Sequence, residues 1–273
     1  MTRPQAEAWV PIDDRGLAYG DGVFETVLVR DGMPLLWPQH MQRLAEGCRR
    51  LGIPMPASGT LDMLPAQTGP GLKVLKLIVT RGGGGRGYQT PAAPEPRLLW
   101  QAADFTPQPR RWWDGVRVRH CRLQLGMQPL LAGIKHLNRL ENVMARREWD
   151  DADVAEGLLC DSQGQLVEAT SMNLFWLRQG RLETPQLNAC GVAGTLRAAL
   201  MEALPIQEVA TGPQALNDAE AVWLGNSVQG LWPVARLDDA DGNPLRQWLL
   251  GDAHRGLQGE AHALLGYPTA SAD

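Results

Sequence analysis

Lysine is rare in this sequence. Of its 26 lysine and arginine positions only Lys73, Lys76 and Lys135 are lysine. Lys135 lies in "LAGIKHLNRLENV", residues 131–143, a glycine-flanked apolar stretch at the mouth of a predicted helix. A lone lysine is ordinarily a solvated charge, and an arginine-rich composition would by itself account for the scarcity. Lysine nevertheless does chemistry that arginine cannot. A guanidinium stays protonated, whereas the lysine amine shifts its pKa readily and forms a Schiff base with an aldehyde.

Other residues downstream and upstream carry matching chemistry. Glu168 sits inside the predicted strand "LVEATSMNLFWL", with Thr170, Ser171 and Asn173 close behind it. Alone, such a glutamate reads as an outward-facing solvated residue. "CGVAGTLR" places Gly191 and Gly194 before a predicted helix, so the amides of Thr195 and Leu196 stand at its positive end, where anions bind. A plain glycine helix start has the same appearance. A second glycine-polar turn, "LGNSVQG", offers the Asn226 and Ser227 amides after a strand end. Arg43 shares a helix face with His40, Gly47 and Arg50 and, by itself, is a solvated arginine. An acid, an anion cradle and an arginine are the companions a Schiff-base lysine needs if its aldehyde belongs to a phosphorylated heterocycle.

One motif does not belong to this set. Gly82, Gly84 and Gly87 satisfy G-x-G-x-x-G after a predicted strand, but the chain then runs into "YQTPAAPEPR" where a dinucleotide site needs a helix. The glycines are expected to form a loop that presents Arg86 and Tyr88.

These residues need a scaffold. At 273 residues, with 44% hydrophobic and 21% charged positions, the chain is that of an ordinary globular protein with room for two modest domains. A net charge of -4 argues against a nucleic-acid partner, and no apolar run approaches membrane-spanning length. The N-terminus lacks the basic and apolar regions of a secretory signal. Cys48, Cys121, Cys160 and Cys190 are scattered without a C-x-x-C pair, as are the histidines, so no metal site is expected and a cytoplasmic location is the default.

"GVFETVLVRDGMPLLW" predicts two strands around an Asp31-Gly32 turn. A helix follows with Met41, Leu44, Ala45, Cys48 and Leu51 as its apolar stripe and Gly52 as its stop. "LKVLKLIVT" predicts a buried strand. Proline punctuates residues 91 to 109, which places a boundary around residues 107 to 120. In the second half "GVRVRHCRL" reads as a strand, and Leu137, Leu140, Val143 and Met144 make a helical stripe. Residues 156–185 read as antiparallel strands with turns at Gly164 and Gly180, "GTLRAALMEAL" as a helix, "EAVWLGNSVQGLWPV" as strand, turn and strand, and "LRQWLLGDAHRGLQGEAHALLGY" as a closing amphipathic helix. Strands arrive in runs, which points to α+β.

Taken in order, "GDGVFET", "HMQRL", "RGGGGRGY", "AGIKHLNRLENV", "VEATSMNLF", "GVAGTLR" and "GNSVQGLWPV" resemble the fold-type IV pyridoxal-phosphate enzymes over nearly the whole chain. That family holds branched-chain and D-amino-acid aminotransferases and a lyase branch. "LAGIKHLNRLE" and "RGGGGRGY" are most similar to the lyase branch, and Leu140 stands where branched-chain aminotransferases place a tyrosine. The resemblance implies a two-domain fold like that of D-amino-acid aminotransferase, with an N-terminal α/β domain over 1–108, a linker over 109–119 and a C-terminal domain over 120–273 carrying the lysine. It implies pyridoxal 5'-phosphate as cofactor and a homodimer acting on a small-molecule substrate. Lys135 matches the Schiff-base lysine, Glu168 the carboxylate on the pyridine nitrogen and Arg43 the phosphate-binding arginine. Thr195, Leu196, Asn226 and Ser227 match the phosphate cup, and Arg86 and Tyr88 match positions that contact substrate carboxylates. The implied activity is conversion of 4-amino-4-deoxychorismate to 4-aminobenzoate and pyruvate. The alternative is a D-amino-acid or other aminotransferase on the same scaffold.

Overall fold

In a computed structural model, residues 9–269 are described here, and the chain divides into two compact units. The first holds the chain up to Thr106 together with Ile134–Arg139, and the second holds Pro107–Gly133 and the chain from Leu140 onward.

The first unit comprises α1 (Arg15–Tyr19), β1 (Gly22–Arg30), β2 (Met33–Pro34), α2 (Trp37–Leu51), α3 (Ser58–Asp62), β3 (Leu72–Thr80) and β4 (Arg97–Asp104). Its four-stranded sheet runs β2-β1-β3-β4, antiparallel throughout. The Asp31-Gly32 turn forms as expected, with both residues at positive φ (49° and 78°). Alternate residues of the two central strands point one way: Val23, Val27 and Val29 from β1, and Leu75, Leu77 and Val79 from β3. They pack with Leu44 and Cys48 of α2 into one core. Burying each such side chain contributes about 1.5–3 kcal/mol.

The phase of α2 differs from expectation. Its buried residues are His40, Leu44, Gly47 and Cys48, while Ala45 is exposed. The helix turns its polar His40–Arg43 edge towards the sheet because Glu25 of β1 occupies the inward phase and is met there by both residues.

The second unit comprises α4 (Pro109–Trp113), β5 (Val116–Leu125), α5 (Leu140–Arg146), β6 (Val154–Asp161), β7 (Leu166–Ala169), β8 (Asn173–Arg178), β9 (Arg181–Pro185), α6 (Thr195–Ala203), β10 (Ile206–Val209), β11 (Ala221–Asn226), β12 (Gly230–Asp238), β13 (Pro244–Gln247) and α7 (Asp252–Leu265). Its nine-stranded sheet runs β10-β9-β8-β11-β12-β5-β6-β7, with β13 beside β12, and β5 lies parallel to both of its neighbours.

Three local expectations are corrected. Residues 109–119 do not form a linker: they make α4 and the first part of β5. Trp112 is the reason, since its ring is buried and its Nε1 donates to Gln229 O at 2.7 Å, while Arg255 and Gln258 of α7 donate to its carbonyl at 2.8 Å each. The closing segment is a strand, β13, before it is a helix. The helical stripe expected from Leu137 starts later: Leu137 precedes α5, Leu140, Val143 and Met144 are exposed at 69%, 55% and 52%, and Ala145 is the buried residue of the helix.

Candidate active site

Lys135 belongs to six residues, Ile134–Arg139, that fold with the first unit although their neighbours in sequence fold with the second. It was expected in the C-terminal domain, just before or in the first turn of a helix. Instead its peptide pairs with β1: Phe24 N donates to Lys135 O at 2.9 Å, Leu137 N donates to Gly22 O at 3.0 Å, and Val23 and His136 form an antiparallel bridge. Gly22 makes this approach possible, because a Cβ there would lie 2.8 Å from Leu137 Cδ1 and 2.5 Å from Val79 O. The Lys135 Nζ sits 4.5 Å from the centroid of the Phe24 ring, where the negative face of the ring attracts an ammonium. The ring therefore helps to hold the amine in one place.

On the inward phase of the same strand, Glu25 is wholly buried. Arg43 Nε donates to Glu25 Oε1 at 2.8 Å and Arg43 Nη2 to Oε2 at 2.5 Å, and His40 Nδ1 lies 2.6 Å from Oε2. Burial pushes the Glu25 carboxyl up, but the Arg43 charge and the His40 contact outweigh it and bring it down to about 2. Burial holds His40 below its ordinary value, against the pull of Glu25. A neutral His40 ring can donate its Nδ1 proton to the carboxylate. Glu25 and His40 were not singled out from sequence. The available signal was that Glu25 falls in phase with Val23, Val27 and Val29, where an isolated charge does not belong.

The second unit carries a separate set. Glu168 is only 4% exposed, not solvated, and its Oε2 accepts from Val192 N at 2.8 Å. Asn173 Nδ2 donates to Val192 O at 2.9 Å, so Glu168 and Asn173 hold the two sides of one peptide segment just before α6. Gly194 caps that helix, and a Cβ there would lie 1.9 Å from Asn173 Oδ1. Thr195 and Leu196, both buried, open the first turn, whose amides the helix's own ladder does not use. In the β11–β12 turn the Asn226 side chain is itself structural: Oδ1 accepts from Val228 N at 2.9 Å and Gln229 N at 2.7 Å, and Nδ2 donates to Ser171 O at 3.2 Å. Ser227 is buried in the same turn. Beneath it Thr170 and Ser171 donate their hydroxyls to Glu156, whose carboxyl burial pushes up despite these donors. The stretch after Glu168 is thus tied to both the α6 and the β11–β12 turns.

Arg86 and Tyr88 lie in the loop after β3, in the first unit, where Tyr88 is 87% exposed. As the "YQTPAAPEPR" that follows the G-x-G-x-x-G pattern indicates, the loop leads into no helix.

The family model described as amino-transferase class IV matches residues 22–237, a span that begins at β1 and takes in Lys135, Glu168 and both glycine turns. The chain belongs to the amino-transferase class IV family. The family depends on pyridoxal phosphate, and the fold is the two-domain fold-type IV arrangement of mixed α and β elements. Among solved structures, the chain is similar to the 4-amino-4-deoxychorismate lyase from Pseudomonas aeruginosa, with 43% identity and a TM-score of 0.84 over 94% of this chain and 96% of that one. The aminodeoxychorismate lyase of Vibrio harveyi is 34% identical over 92% of this chain and 94% of its own length. The D-alanine aminotransferase of Bacillus licheniformis is 26% identical over 86% of this chain and 85% of its own.

Proposed function

We propose that this family member is a pyridoxal 5'-phosphate-dependent lyase that converts 4-amino-4-deoxychorismate to 4-aminobenzoate and pyruvate. The observation that carries the reading is the similarity to two lyases, 43% identical to that of Pseudomonas aeruginosa and 34% identical to that of Vibrio harveyi, each over more than nine-tenths of both chains.

The residues present fit the cofactor. Lys135 offers an amine set 4.5 Å over the Phe24 ring, Glu168 a buried carboxylate, and Gly194 a helix start that would be filled by a Cβ. In this reading Lys135 would hold the aldehyde carbon, Glu168 would keep the proton on the ring nitrogen, and Arg43 with the Thr195, Leu196, Asn226 and Ser227 turns would hold the phosphate. When bound, pyridoxal phosphate supplies an aldehyde for amines and a ring that draws electrons from the carbon beside the captured amine.

The rest is done by the chain. Lys135 Nζ takes the proton from C4 of the substrate, the carbon that bears its amine. Loss of the enolpyruvyl group from C3 then leaves an aromatic ring, and the same Nζ returns the proton to the departing fragment, which becomes pyruvate. Glu168, kept from water by burial, would hold a proton on the ring nitrogen of the bound cofactor. Arg86 orients a substrate carboxylate through its planar fork, and Tyr88 adds a hydroxyl.

A homodimer and a cytoplasmic location are part of this reading. The exposed Leu140, Val143 and Met144 of α5 support the first, since a row of apolar side chains on a helix is suited to meeting a second copy. The four unpaired cysteines support the second.

The test supplies 4-amino-4-deoxychorismate and follows 4-aminobenzoate and pyruvate together. Equal formation of both, lost in Lys135→Ala, is the expected result. Neither product, with transamination of D-amino acids onto 2-oxoglutarate instead, replaces the lyase with an aminotransferase.

A further inference from the structure

Arg15 opens α1 with its side chain almost wholly buried, 5% exposed, and the reaction above does not use it. Its Nε donates to Asp21 Oδ2 at 3.0 Å. Its other end is surrounded by carbonyls of a single loop. Nη1 reaches Gly87 O at 2.9 Å, Gln89 O at 3.3 Å and Gly84 O at 3.4 Å, and Nη2 reaches Tyr88 O at 3.3 Å. Arg86 lies in the middle of that run.

The anchor itself is fixed on its far side. Arg81 donates to both Asp21 oxygens, at 2.7 and 3.0 Å, and to the carbonyls of Leu51 and Gly52 at the end of α2, at 2.5 and 2.8 Å. Burial pushes the Asp21 carboxyl up, but Arg81 and Arg15 together hold it below its ordinary value, so it stays charged between them. The ring of Tyr19 closes the cluster, 5.0 Å from Arg15 Cζ and 5.4 Å from the ring of Tyr88.

Carbonyls converge on a cation in this way only if the backbone curls tightly, and here Gly84, Gly85 and Gly87 all take positive φ (95°, 82° and 56°). A Cβ at Gly85 would lie 2.1 Å from Gln89 O and 3.2 Å from Arg15 Nη1. The glycines of "RGGGGRGY" thus serve a guanidinium of the protein itself. A planar fork with five donors in fixed directions can hold four carbonyls at once, and a lysine ammonium with three cannot.

We propose that Arg15 is a positioning residue for substrate selection: it sets the shape of the 84–89 loop and through it the directions of Arg86 and Tyr88, without touching substrate. The proposal rests on the reading that this loop faces the carboxylates of the substrate. Substrate affinity then depends on Arg15, while cofactor affinity and the proton transfers at Lys135 do not.

The experiment compares wild type with Arg15→Lys, which keeps the charge and loses the fork, and Gly85→Ala, which disturbs the cage from the loop and leaves Arg15 in place. Hydrogen exchange over residues 83–90, kcat and KM for 4-amino-4-deoxychorismate, and pyridoxal phosphate affinity by absorbance are measured for each, with Arg86→Ala alongside. In both cage variants exchange in the loop should quicken, KM should rise about tenfold, kcat should stay within about threefold, and cofactor affinity should be unchanged. Unchanged exchange, or a loosened loop with wild-type KM, overturns the proposal, and so does loss of cofactor affinity in step with KM. If Arg86→Ala raises KM and the cage variants do not, the substrate-facing loop stands and the role of Arg15 falls. If Arg86→Ala leaves KM unchanged, the reading of the loop fails and the proposal with it.

Discussion

Glu25 and Arg43 are joined fork to fork, Nε to Oε1 at 2.8 Å and Nη2 to Oε2 at 2.5 Å, with the carboxylate wholly buried and the guanidinium 12% exposed. Two charges in such a place are stable only together. Removing one leaves the other without its counter-charge in a low-dielectric surrounding, whereas removing both exchanges a pair for apolar contact. Glu25→Ala is therefore expected to lower unfolding stability by about 3–5 kcal/mol. Arg43→Met combined with Glu25→Met should recover most of that loss. Urea unfolding of the single and double variants measures both, and additive effects would mean that the pair is not coupled.

The same pair makes stability depend on acid. Glu25 has its pKa lowered from 4.5 to about 2 in the folded chain, so the unfolded chain takes up the proton first as pH falls. Its contribution is complete above about 4.5 and is lost as pH drops towards about 2. Glu25→Gln should flatten the fall of the urea midpoint across that window. An unaltered slope would place the acid sensitivity elsewhere.

Glu168 separates cofactor binding from turnover. Glu168→Gln keeps the shape of the side chain and an oxygen for Val192 N, but it loses the negative charge that would retain a proton on the ring nitrogen. The variant should still take up pyridoxal phosphate, seen as visible absorbance, while kcat falls by about a hundredfold or more. Undiminished kcat would remove Glu168 from the role proposed for it.

The exposed row on α5 bears on assembly. A carboxylate at its centre, in Val143→Asp, would be strongly desolvated in any close apolar contact between copies. Light scattering should then show the wild type as a dimer and the variant shifted to monomer. A variant with the wild-type mass would show that α5 is not the contact.

Much of this protein was legible from its residues one stretch at a time. The apolar run "LKVLKLIVT" and the Asp31-Gly32 turn marked strands that form where expected, and the glycine before "TLRAALMEAL" marked the start of α6, because apolar runs and turn chemistry are local properties. The chemical singularity of Lys135 and the order of motifs were equally present in the sequence, and they led to the family.

What the periodicity could not report is what each face meets. The α2 stripe was read with Ala45 in it, and the helix instead turns His40 inward, because Glu25 arrives from a strand some fifteen residues earlier and a buried carboxylate must be met by donors. The apolar stripe of α5 is exposed in the chain, since helical spacing says only that residues share a side and not what covers it. The prolines of residues 91 to 109 place a boundary around residues 107 to 120, and there Trp112 docks the chain through contacts more than a hundred positions away. Lys135 itself was assigned to the wrong half: pairing with β1 drew six residues back to the first unit, a choice made by free edges and room beside Gly22 that no local pattern records. The sequence by itself determined which side chains could do the chemistry. Only the tertiary structure decided which of them are buried, charged and held, because those depend on partners distant in the chain.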